Sequence, residues 1–197
     1  MKPVSVVLGS SSPRRKEILG DMGIIFTVAH ADIDESALPG EVVELTALRL
    51  AREKARKISL RHPDALVIGA DTLVALDGEM MGKPDDAPHA AAMLQKLGGR
   101  THDVFTAVAF AIATEGREEC VLCRSRVTFK KLDRAAIDAY VATGEPIGKA
   151  GAYAIQGKGA ALIESYAGSH SNIVGLPARE VLRFFMAFGL ERLPWDA

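Results

Sequence analysis

The stretch Ala65-Leu-Val-Ile-Gly-Ala-Asp-Thr-Leu-Val-Ala-Leu76 limits the possible folds more than any other part of the chain. It is nearly all apolar and does not alternate, so it reads as a central strand buried on both faces. A strand covered on both sides needs packed layers around it, which places the chain among the α/β architectures. One carboxylate, Asp71, interrupts the run. In such a strand an aspartate is costly unless it is paired, solvated by a cleft or bound to a metal. Two readings stand at this position: a carboxylate satisfied by backbone amides, and a functional carboxylate in a cleft.

The flanking segments supply the layers. Val4 to Gly9 is a short apolar strand, and Ser12-Pro13 is a cap and first-turn signal that starts a helix to about Met22. Ile24 to Ala29 reads as a second strand, followed by an acidic loop, Asp32-Ile-Asp-Glu35, with Pro39-Gly40. From Glu41 to Ser59, Leu45, Leu48, Ala51, Ala55 and Ile58 recur at helical spacing and define one amphipathic helix. Asp77-Gly78 turns the central strand back as a hairpin, and Ala87 to Leu97 is an Ala-rich helix ended by Gly98-Gly99. Thr101 to Ala113 and Glu118 to Phe129 read as a second hairpin. Asp133 caps a helix to about Ala142, and a Gly-rich stretch runs from Gly144 to Gly159. A strand follows from Ala160 to Tyr166, and a last helix begins at Pro177 with Val181, Leu182, Phe185 and Phe188 on one face. Two hairpins among alternating strands and helices predict a mixed, twisted central sheet flanked by helices. The expectation is one α/β domain over residues 1–197.

Charge narrows the functional classes. Lys and Arg number 24 against 25 Asp and Glu, a net charge of -1, so nothing global draws the chain to nucleic acid or to an anionic membrane. No apolar run approaches the roughly 18 residues that span a bilayer, and Met1-Lys2-Pro3 with its short Val-rich sequel lacks a signal peptide's apolar region. A cytoplasmic location is expected. Cys120 and Cys123 have C-x-x-C spacing, but no second Cys or His pair lies nearby to complete a zinc site, and residues three apart on a strand face opposite ways. Packing in a strand is the expected role of both. The five histidines, His30, His62, His89, His102 and His170, show no metal-binding spacing and read as surface or packing residues.

Any phosphate chemistry must therefore be local. The first strand runs into Ser10-Ser-Ser-Pro-Arg-Arg15, where free amides and the positive end of a helix meet two fork-shaped donors suited to phosphate oxygens. The bland alternative is a solvated Arg pair beside a routine cap. Lys54 borders the apolar stripe of its helix, and either reaches into a pocket or lays its stem over the core. Taken alone, Glu35 and Lys83 are surface charges and Thr72 is a good strand former. Gln156 lies in Lys149-Ala-Gly-Ala-Tyr-Ala-Ile-Gln-Gly-Lys-Gly159, whose glycines allow close backbone approach to a ligand or simply a flexible turn. This segment is not a Walker A loop, because five residues separate Gly151 from Gly157 and Gly159 stands where Ser or Thr belongs. No dinucleotide fingerprint opens a helix after the first strand, and no G-x-S-x-G elbow is present.

Seven ordered motifs together resemble the Maf family of nucleoside triphosphate pyrophosphatases: Leu8-Gly-Ser-Ser-Ser-Pro-Arg-Arg15, Leu50-Ala-Arg-Glu-Lys-Ala55, Ile68-Gly-Ala-Asp-Thr72, Gly82-Lys-Pro-Asp85, Gly99-Arg-Thr-His102, Lys149-Ala-Gly-Ala-Tyr-Ala-Ile-Gln-Gly157 and Val174-Gly-Leu-Pro177. The resemblance implies a fold similar to that of the inosine triphosphatases, with two lobes around a cleft. It also implies that Asp71 is the catalytic carboxylate, and that Ser10, Arg15, Glu35, Lys54 and Lys83 line the phosphate and metal site. Arg14, Thr72 and Gln156 fall at positions tied to base selectivity. Gly-Ala-Asp-Thr and Ala-Tyr-Ala-Ile-Gln-Gly look like the branch acting on dTTP and UTP, which hydrolyses them to the monophosphate and pyrophosphate. A divalent cation, magnesium or manganese, held by Glu35 and Asp71, is the implied cofactor, and homodimers are an implied assembly. Two positions depart from the family pattern: Gly9 replaces the usual alanine, a loss of one methyl group, and Gly148 stands where an aspartate commonly precedes Lys-Ala-Gly-Ala-Tyr. Two rival readings are a noncatalytic nucleotide-binding regulator of cell division, with the same pocket sensing a nucleotide, and a pyrophosphatase that prefers another modified nucleotide.

Overall fold

A computed structural model describes residues 5–189, so Val4 and the Met1-Lys2-Pro3 start lie outside the described residues. The described residues divide into two compact units: residues 5–71 with 106–123 and 175–189, and residues 72–105 with 124–174. Among the described residues, seven strands hydrogen-bond in the order β2-β1-β3-β5-β6-β7, with β4 added to β3, and no helix is long and apolar enough to cross a membrane.

In the first unit, β1 (Val6–Leu8) lies parallel to β2 (Thr27–Val28) on one side and to β3 (Leu66–Leu76) on the other, with Val7 opposite Thr27 and Val67. Parallel neighbours need crossover helices. α1 (Pro13–Asp21) joins β1 to β2, and α2 (Val43–Ser59) joins β2 to β3. β2 is shorter than the apolar run from Ile24 suggests, because β1 offers only three residues to pair with. The core gathers Leu8, Leu19, Ile68, Val108, Phe110, Leu176, Val181, Phe185 and Phe188. Phe110 stacks on Phe184 at 4.6 Å between ring centroids and meets Phe185 edge-on at 6.1 Å. These rings link β5 (Thr101–Ile112) to α6 (Ala178–Ala187), the last helix expected from its apolar face.

The tightest packing in this unit is α2 against β3. A Cβ built on Gly69 would stand 2.3 Å from the Ala51 carbonyl oxygen and 2.6 Å from the Ala55 amide nitrogen. No side chain fits there, which explains a glycine in an otherwise apolar strand. Gly9 is milder: an added Cβ would meet the Ile68 oxygen at 3.1 Å and Ile58 Cδ1 at 3.2 Å, so an alanine needs only a small local shift.

In the second unit, β3 turns back into β4 (Glu79–Met81) with Leu76 opposite Glu79. Asp77 and Gly78, at φ +54° and +83°, supply the two left-handed residues that a tight hairpin needs. α3 (Ala87–Leu97) starts where Asp86 accepts a hydrogen bond from the His89 amide at 2.7 Å, and α4 (Arg134–Val141) where Asp133 accepts from Ala136 at 2.8 Å. β6 (Arg117–Phe129) is joined to β5 by a 3-10 turn over Ala113–Glu115. It pairs antiparallel with β7 (Ile163–Ala167), so the sheet is mixed, as expected. β7 begins later than the sequence suggests because Gly157–Leu162 coils into a 3-10 turn. The short α5 (His170–Val174) has no counterpart among the expected elements, since five residues carry too little periodicity to read. Cys120 and Cys123 are free and half-buried in β6, and burial pushes both thiols up to about 11.

His102 is buried beneath the Gly-rich segment: its Nε2 lies 2.8 Å from Tyr153 Oη, and its ring meets Phe129 and Tyr153 edge-on. Desolvation lowers its pKa to about 4.

Two outcomes follow for stability. Gly69→Ala should cost about 3 kcal/mol, read as a lower urea midpoint at unchanged slope; a loss of ~1 kcal/mol or less would mean that α2 can lift from β3 almost freely. His102 is neutral in both states above its unfolded pKa, and below it only the unfolded chain takes up the proton. Stability contributed by the neutral ring is therefore present above about pH 6.5 and lost as pH falls toward 4, by roughly 3 kcal/mol at the limit. Comparing urea midpoints of wild type and His102→Gln across that window isolates the contribution, and parallel curves would overturn it.

Candidate active site

Three elements of the first unit converge on Asp71. β3 carries the carboxylate at a buried position, α2 presents Lys54 from the turn between Ala51 and Ala55 that packs on Gly69, and the loop after β2 brings Glu35. Lys54 Nζ lies 2.6 Å from Asp71 Oδ1 and 2.6 Å from Glu35 Oε1. The Lys54 and Asp71 side chains are only 8% and 9% exposed, whereas that of Glu35 is 46% exposed. The Lys54 ammonium is thus buried between two carboxylates and is not carried out to water along the core surface. Of the two Asp71 oxygens, Oδ2 is buried and has no hydrogen-bond partner.

The strand-loop-helix start supplies the second part of the cluster. Ser12 occupies the N-cap position of α1 but its side chain caps nothing; the cap-like contact comes from Ser10, whose Oγ accepts from the Ser12 amide at 3.3 Å. Ser10 Oγ also accepts from Arg15 Nη1 at 3.0 Å. The same Nη1 donates to the carbonyl of Ala70 at 2.9 Å, and Nε donates to that of Gly175 at 2.8 Å. Arg15 is therefore a strut that joins the Ser10 loop to β3 one residue before Asp71. Burial lowers its pKa, the negative charge of Asp71 opposes that, Arg14 adds to it, and Glu35 opposes it. Arg14 lies half-buried on the first turn of α1.

The remaining sequence candidates belong to the second unit. Thr72 follows Asp71 in β3 and is half-buried, and Lys83 is exposed just after β4. Gln156, half-buried and extended, directly precedes the Gly157 turn. The Gly82 carbonyl accepts from the Gly151 amide at 3.0 Å, which ties the Lys83 loop to the Gly-rich segment. Gly148 has φ +75° and open space around its Cβ position. Three features carry no plain motif: the carbonyls that hold Arg15, the glycine that lets α2 approach, and Glu145, whose carboxylate binds the Gly-rich segment. Gly69 was detectable as a glycine inside a strand; the others depend on the folded backbone.

The donor set suits a hard cation. The unsatisfied Asp71 Oδ2 is an acceptor without a donor, and Glu35 adds a second, accessible carboxylate on the same ammonium. Among the described residues no three His, Cys, Asp or Glu side chains form a ready metal cage. Two carboxylates completed by phosphate oxygens and water are the usual arrangement for magnesium in phosphate chemistry.

The family model described as "Maf-like protein" matches residues 5–188. Curated relatives named dTTP/UTP pyrophosphatase include a Myxococcus xanthus protein 52% identical to this chain, with the match covering 98% of this chain and 96% of the relative. One from Symbiobacterium thermophilum is 48% identical over 93% and 94% of the two chains, and one from Moorella thermoacetica 48% identical over 94% and 96%. The seven sequence motifs and the match over almost the whole described length agree: the chain belongs to the Maf family.

Proposed function

We propose that this protein is a nucleoside triphosphate pyrophosphatase that hydrolyses dTTP and UTP to the monophosphate and pyrophosphate. The observation that carries the reading is Asp71: buried in an apolar strand, clamped through one oxygen by Lys54, and left with the other oxygen unsatisfied. That unsatisfied oxygen offers an attacking water an acceptor for its proton. The dTTP/UTP assignment is supported by the names of relatives that match nearly end to end.

In the reaction, a water oxygen bonds to the α-phosphorus, the bond from that phosphorus to the bridging oxygen of the β-phosphate breaks, and pyrophosphate leaves. Asp71 accepts the proton of the attacking water. Lys54, Arg14, Arg15 and Lys83 offset the charge of the triphosphate and the charge growing on pyrophosphate. Ser10 lines the phosphate site and accepts a hydrogen bond from the Arg15 guanidinium of α1. Glu35 and Asp71 would hold magnesium or manganese, which when bound supplies Lewis-acid stabilisation of phosphate oxygens. Gln156 offers both a donor and an acceptor to a pyrimidine edge, with Arg14 and Thr72 as further selectivity contacts.

Incubation with dTTP and magnesium should yield dTMP and pyrophosphate; dTDP with orthophosphate would refute the cleavage position. Binding without turnover would return the chain to a noncatalytic nucleotide sensor. Asp71→Asn should lower kcat about 100-fold or more, and near-normal turnover would remove Asp71 from the proton-accepting role. Comparable turnover of 7-methyl-GTP would refute the pyrimidine assignment.

A further inference from the structure

Gln156 is bracketed by a hydrogen-bond network that none of the roles above requires. Two residues before it, the Ala154 amide donates to Tyr140 Oη at 3.2 Å. Tyr140 in turn donates its proton to Glu145 Oε1 at 2.8 Å. Beyond Gln156, the amides of Lys158 and Gly159 donate to Glu145 Oε2 and Oε1 at 3.0 Å and 2.9 Å. One carboxylate, directly and through one phenol, thus holds the backbone on both sides of the glutamine. The chain closes tightly around it. A Cβ on Gly157, which sits at φ +73°, would lie 2.8 Å from Glu145 Oε2, and one on Gly159 would lie 2.2 Å from the Ala154 oxygen and 2.6 Å from Tyr140 Oη.

Resting on the assignment of Gln156 to base reading, we propose that Glu145 is a positioning residue for base selection: it fixes the 154–159 backbone and so sets where the Gln156 amide stands. The Glu145 carboxylate is spent on this segment, while its backbone amide is held separately by Thr143 Oγ1 at 3.2 Å. Burial pushes the Glu145 carboxyl up, but the Gly159 amide, the Tyr140 hydroxyl, the Lys158 amide and the Lys149 charge together hold it below the usual carboxylate range. The anionic form, a pure acceptor, matches three donors. A glutamine at this position turns one acceptor into a donor and sets it against an N–H or O–H.

Glu145→Gln should raise the KM for dTTP about tenfold with kcat changed less than about twofold. Preference for dTTP over dCTP should fall by a similar factor, while inhibition by inorganic tripolyphosphate, which has no base to read, stays unchanged. Tyr140→Phe, which removes only the phenol link, should shift the same ratio by less, and the double variant should be no worse than Glu145→Gln alone. It also serves as the test if Glu145→Gln fails to fold. An unchanged dTTP:dCTP ratio, or tripolyphosphate binding that weakens in parallel with dTTP, would overturn the positioning role. Wild-type enzyme that releases no dTMP would instead overturn the function on which the inference rests, so the two failures are told apart by the control.

Discussion

The buried ion pair between Lys54 and Asp71 organises the first unit. Taking both charges out of water is expensive, and the attraction between them recovers that cost only if they meet at good geometry. The sequence secures the geometry by omission: Gly69 has no side chain, so α2 settles onto β3 and the Lys54 stem spans the remaining gap at 2.6 Å. Arg15 fixes the strand from the other direction by holding the Ala70 carbonyl, and ties the Ser10 loop into the same assembly. Packing, charge and the orientation of the carboxylate are therefore one problem solved together.

Not every unsatisfied polar atom has the same meaning. Asp71 Oδ2, His102 Nδ1 and Asn172 Oδ1 are all buried without a partner. His102 is ringed by Phe129 and Tyr153, and Asn172 donates to the Val104 carbonyl and to Ser125 Oγ, so both are stitched into packed surroundings. Only Asp71 has a cation on its other oxygen and a second carboxylate on that cation. Context, and not the orphaned atom itself, separates a site from a packing compromise.

Much of the architecture was legible because it rests on local signals. Asp133, Asp77-Gly78 and Gly98-Gly99 marked their boundaries through capping and turn chemistry, and α3 spans the residues expected of it. Features set by neighbours were harder to see. The length of β2 depends on β1, α5 is too short to have a period, and β7 is delayed by a 3-10 turn. In the site, Asp71 stood out because an apolar run gives a charge nowhere to hide. Lys54 and Glu35 did not, since a lysine beside an apolar stripe and a glutamate in an acidic loop look ordinary until the fold places them on one another. Glu145 escaped notice for a different reason: its partners are backbone amides, which have no sequence identity.

The two half-buried thiols of β6 have a practical side. A nucleophilic cysteine reacts as the thiolate, and with both groups held near 11 the native chain presents very little of it at neutral pH. A cysteine introduced at an exposed position, with an ordinary pKa near 8.5, would carry roughly two orders of magnitude more thiolate at the same pH. The wild-type chain is thus a quiet background for attaching a single fluorophore or spin label to the Gly-rich segment, without first removing either native cysteine from the strand it helps to pack.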